Sequence, residues 1–82
     1  MITTKKHAMK NIRNFTAIIE KEDGIYVALC PELDIASQGD TVEESKANLH
    51  EAIELFFEHA SYGEIEQRLK SDIFITNMQI AI

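Results

Sequence analysis

Four carboxylates, Glu20, Asp34, Asp40 and Asp72, are far enough apart in sequence to converge from different elements. A metal-dependent nuclease needs such a set, to hold divalent ions that activate water and stabilise the leaving oxygen. The local sequence argues against it: Glu20 and Asp34 fall near strand ends, and Asp40 reads as part of a helix start. Solvated structural acids are the simpler account. His7 lies in a basic N-terminal stretch, and His50 and His59 are nine residues apart on one helix, about two and a half turns, too far to share a metal. Cys30 is the single cysteine, which rules out an intrachain disulfide and a cysteine metal set. A Cys30–His50 nucleophile pair fails on two counts: no charge beside Cys30 would favour a thiolate, and periodicity puts His50 on the outer side of its helix. Cys30 is read as a buried small apolar residue. No glycine-rich phosphate loop is present. The chain reads as a non-enzyme with no metal and no cofactor.

The elements that position these residues are legible in order. Residues 13–21 alternate, with Phe15, Ala17 and Ile19 on one side, and predict a first strand. Glu22-Asp23-Gly24 is a compact polar turn that folds it back on a second strand, Ile25–Cys30. Both faces of that strand are apolar: Ile25, Val27 and Leu29 on one, Tyr26, Ala28 and Cys30 on the other, so one packs on a helix and the other suits a second subunit. Pro31 stops it. A third strand over 34–38 runs into Gly39. Thr41 with Glu44 three residues on is a capping pair, so a helix begins there. Val42, Leu49, Ala52, Ile53, Phe56 and Ala60 form its apolar stripe, and Tyr62-Gly63 is expected to end it. A short helical turn over 64–69 and a fourth, isoleucine-rich strand over 72–82 complete the chain. A right-handed crossover places strand four beside strand one, in the order 3-2-1-4. The expected class is α+β, β-β-β-α-β, with the main helix on one face of the sheet.

Tyr26-Val27-Ala28, Cys30-Pro31-Glu32-Leu33, Ser37-Gln38-Gly39-Asp40-Thr41, Glu43-Glu44 and the helix Asn48-Leu49-His50-Glu51-Ala52-Ile53-Glu54 come in the order and spacing of a known family. The pattern resembles the HicB-like antitoxins of type II toxin–antitoxin systems. It covers 15–58 closely and the remainder by type of element; Asp34-Ile35-Ala36 departs from the family's usual turn. The resemblance implies a partial ribonuclease-H-like sheet without that fold's activity. It also implies that the chain neutralises a small, basic, mRNA-cleaving toxin of the HicA-like kind. Many members carry a C-terminal DNA-binding module; none is recognised here, so the chain is expected to be a short form that does not bind an operator.

Charge supports a basic partner. Fourteen Asp and Glu stand against eight Lys and Arg, and four of those bases, Lys5, Lys6, Lys10 and Arg13, precede the first acid. Residues 1–12 are read as a basic, flexible tail and 13–82 as one strongly anionic domain, which repels phosphate backbones. The acids expected to contact a toxin are Glu32 and Asp34 in the bend and Glu43, Glu44, Glu51, Glu54 and Glu58 on the helix. On composition alone this acidic surface is a solubility feature. The alternative function is a stand-alone oligomeric ligand-binding or scaffold domain with no toxin. The apolar last strand would be an aggregation hazard unless another chain covers it, so a homo-oligomer, dimer or tetramer, is expected, with Tyr26, Phe74, Met78 and Ile80 at the interface. No stretch is long and apolar enough to span a membrane and 1–13 lacks the centre of a signal peptide, so a cytoplasmic location is expected.

Overall fold

A computed structural model describes residues 12–70 and 72–82. The tail expected over 1–12 therefore lies, Ile12 apart, outside the described residues. The fold is α+β: strands β1 (Ile18–Glu22), β2 (Ile25–Cys30) and β3 (Ile35–Gly39), then helices α1 (Val42–His59) and α2 (Tyr62–Leu69). The sheet is an antiparallel meander in the order β1-β2-β3.

Two tight connections set the register. Glu22 pairs with Ile25, so Asp23 and Gly24 alone make the first turn. Both have positive φ, 49° and 85°, the mirror-image turn geometry whose twist matches paired strands. Between β2 and β3, Pro31 ends the ladder and Asp34 turns the chain at φ 57°, its N–H donating to the Cys30 carbonyl at 2.8 Å. Ile35 is thereby placed opposite Cys30.

Alternation then decides which face is the core. Ala28 and Cys30 are fully buried with Leu33 and Leu49; Phe15, Ile19, Ile35, Ile53, Phe57 and Leu69 pack around them. The opposite face carries Ile25, Val27 and Leu29, half-buried, and Ile18, 44% exposed. Tyr26, expected at an oligomer interface, lies on the helix-side face with Ala28 and Cys30, and the Lys21 ammonium sits 5.8 Å from its ring centre.

Helix α1 starts where its capping residues dictate. Thr41 Oγ1 accepts the Glu44 N–H at 3.0 Å, and the Glu44 carboxylate accepts the Asp40 N–H at 2.5 Å. The first turn seats directly on the end of β3: a Cβ on Gly39 would lie 2.6 Å from the Ser45 backbone nitrogen. Ser45 is fully buried, its hydroxyl donating to the Val42 carbonyl at 2.9 Å. Close approach admits only small residues here. Val42, expected in the apolar stripe, is on the same side of the helix as Leu49 but, as the first residue of α1, is 42% exposed.

Other expectations need correction. The helix does not run to Gly63: α1 ends at His59, and Ser61 caps α2 by accepting the Glu64 N–H at 3.1 Å, with Gly63 inside that helix. β1 begins at Ile18 rather than residue 13 because its partner runs out; Ile18 already pairs with Leu29, and Pro31 lies just beyond. The Thr16 N–H goes instead to the Glu32 carboxylate, at 3.0 and 3.2 Å. Residues 72–82 belong to no ladder and all are exposed, so a fourth strand in this sheet is not formed within the chain. Alternation supplies a strand's faces, while pairing needs an edge that has been met.

Candidate partner-binding surface

At 100° per residue, Glu43, Glu44, Glu51, Glu54 and Glu58 fall within an arc of about 100° on α1. All five are exposed and lie on the side of the helix away from Leu49 and Ser45. His50 Nδ1 stands 3.5 Å from Glu54 and His59 Nε2 3.5 Å from Glu58, both pairs largely in solvent. The structure thus brings together the helical acids that the sequence singled out. Glu44 is partly committed, since one oxygen caps its own helix.

Glu32 and Asp34 are elsewhere, in the β2–β3 bend. Asp34 is exposed. The Glu32 carboxylate accepts the Thr16 hydroxyl at 2.6 Å, the Thr16 N–H, and the Cys30 thiol at 3.5 Å. Burial pushes its pKa up, but those hydrogen bonds outweigh burial and hold the carboxyl below its ordinary value. Glu32 is therefore a latch between the bend and the strand leading into β1. Sequence reasoning missed this role; Thr16 sixteen residues away carries no signal of it. Arg68 was also missed: its guanidinium donates to the Leu33 carbonyl and stacks 4.9 Å from the Phe56 ring centre, fastening α2 to the bend.

Between 12–17 and α1 runs an open groove of about 1290 Å³. Phe15, Leu49, Ile53 and Phe57 line its apolar part, with Glu51, Glu54 and Glu58 also on its walls. Phe15 and Phe57 stack there with ring centres 6.0 Å apart.

The chemistry-bearing residues do not converge. Among the described residues no three His, Cys, Asp or Glu side chains could hold one metal ion. Cys30 is buried, and burial, reinforced by neighbouring Glu32, raises its thiol pKa despite a backbone hydrogen bond at Leu33. His50 is on the exposed side of α1. Among the described residues no helix is long and apolar enough to cross a membrane.

No family model matches the chain, and no solved structure does. Among curated proteins it is similar to UPF0150 protein ssr1765 of Synechocystis, 43% identical over 75 residues, spanning 89% of this chain and 94% of that one. Two shorter matches come from the same organism. UPF0150 protein ssl0738 is 58% identical over 45 residues, 52% of this chain and 62% of its own length. UPF0150 protein ssr1258 is 44% identical over 50 residues, 58% of this chain and 72% of its own.

Proposed function

The chain belongs to the UPF0150 family, and from that premise we propose that it acts as a HicB-like antitoxin, a protein-binding domain that neutralises a small basic mRNA-cleaving toxin. The observation that carries this reading is the arc of five glutamates on α1, in a chain of net charge −6. Such an array offers a basic RNA-binding surface carboxylates in place of phosphates. It speeds encounter, fixes orientation and excludes RNA by occupying the same ground. Glu43, Glu51, Glu54 and Glu58 are the principal contacts, Asp34 an outlying one, and Glu32 and Glu44 act through the local structure they hold. The three-stranded meander and α1 are the common part of a partial ribonuclease-H-like sheet of order 3-2-1-4. The protein works in the cytoplasm, where its target is made, without catalysis, metal or cofactor.

The test is a pull-down of tagged protein from its native cell extract at low and high salt, with co-purifying proteins identified by mass spectrometry. A small basic partner that leaves as salt rises is expected. A second reading, a stand-alone self-assembling scaffold of the same fold, is favoured by the exposed apolar residues of 72–82. Under that reading only the chain itself is recovered at either salt concentration.

A further inference from the structure

The free edge of β1 and the segment 72–82 each lack what the other has. β1 is the edge of the sheet, and among the described residues its outer backbone groups meet no partner. The opposite edge differs: β3 leads straight into α1, and Asn48 Nδ2 donates to the Gln38 carbonyl at 2.8 Å. Just ahead of β1, the segment 12–17 and the stripe of α1 form the two walls of the open groove, with Ile53 and Phe57 on the helix side and Phe15 facing Phe57. An open groove with an apolar wall thus adjoins, through 12–17, the start of an edge strand with a free side.

Residues 72–82 have the matching properties. They alternate as a strand does, carry one acid and no base, and expose Phe74 (88%), Met78 (82%) and Ile80 (68%). Such a surface is not left in water by a stable protein. Pairing with the chain's own β1 is within reach, since Leu69 at the end of α2 lines a small cleft with Arg13, Asn14 and Phe15. It would leave much uncovered, however: β1 has five residues, and eleven extended residues span about 36 Å, twice its length. In a two-fold exchange each segment fills its partner's groove, and the remaining residues of the two segments meet near the axis.

We propose that 72–82 is a donated strand: it adds to the β1 edge of a second copy of this chain, beneath Ile53 and Phe57, and receives the same in return. The sheet order 3-2-1-4 is thereby completed between subunits. This rests on the edge and the groove, not on the toxin-binding reading, and stands whether or not a toxin exists.

Two measurements on the full chain test it. Sedimentation across the micromolar range is expected to show a dimer. Isotope-filtered nuclear Overhauser spectra of a mixture of labelled and unlabelled chains are expected to connect 72–82 of one copy to 18–22, Ile53 and Phe57 of the other. The double variant Thr76→Pro with Asn77→Pro, at neighbours whose N–H groups point to opposite sides of a strand, removes a ladder donor in either register and is expected to weaken self-association at least about tenfold, with the circular dichroism of the hairpin and helices retained. Overturning results would be a monomer at all concentrations, contacts between 72–82 and β1 confined to one chain, or a dimer that the double proline variant leaves unweakened. Should that variant unfold, the filtered spectra of the unmodified chain decide alone.

Discussion

Glu32, expected to contact a partner, also holds the β2–β3 bend to the strand leading into β1. Its carboxylate is preferred charged in the folded state, so its contribution to stability is present above the ordinary value of 4.5 and is lost as pH falls through the lower folded value. Glu32→Gln is therefore expected to flatten the acid limb of a stability-versus-pH curve measured by urea unfolding, while leaving the alkaline side with a constant offset. Gly39 is constrained by space instead. Gly39→Ala would force backbone apart at the Ser45 nitrogen, and a loss of about 1–3 kcal/mol is expected in the same assay. Cys30, buried and with its pKa raised by that burial, is expected to react with a thiol reagent at least about tenfold more slowly in the folded chain than in denaturant.

At the scale of elements, each helix hangs on a hydroxyl. Ser61→Ala is expected to cost about 1 kcal/mol and to show first as faster amide exchange in α2, leaving β2 and β3 protected. Elements with a local cause were legible in the sequence: Asp23-Gly24 announces the first hairpin, Pro31 the end of β2, and Thr41-x-x-Glu44 the start of α1. Ser61-x-x-Glu64 is as explicit, but Gly63 reads as a terminator to anyone who takes the glycine before the cap. The excess length assigned to the first strand has a non-local cause. Phe15, Ala17 and Ile19 do fall on one side, yet the ladder stops because β2 stops, and Glu32 takes the N–H that a longer ladder would have used. The acidic arc was legible from spacing alone. The groove beside it was not, since it exists only where 12–17 runs alongside α1.

For the whole molecule, the two proposals call on two adjoining surfaces, the acidic arc of α1 for a basic partner and the β1 edge for a second copy, with Glu51, Glu54 and Glu58 at the border between them. Replacing Glu43, Glu51 and Glu54 with Lys is expected to abolish capture of a basic partner and its salt dependence in the pull-down. Each exposed pair contributes only about 0.2–1 kcal/mol, but reversal adds repulsion to loss. Sedimentation of the single variant Glu43→Lys, whose residue lies outside the groove lining, should show unchanged self-association. The seating of α1 on β3 has a consequence in time as well as in space. Gly39 and Ser45 are six residues apart, and the β1–β2 and β2–β3 hairpins are likewise close in sequence, so the hairpin–helix unit assembles from local contacts at little loop-closure entropy. A donated strand must wait for another molecule. Refolding should thus divide into a fast phase indifferent to dilution and a later one whose rate rises with protein concentration, each chain first becoming a template and only then half of a pair.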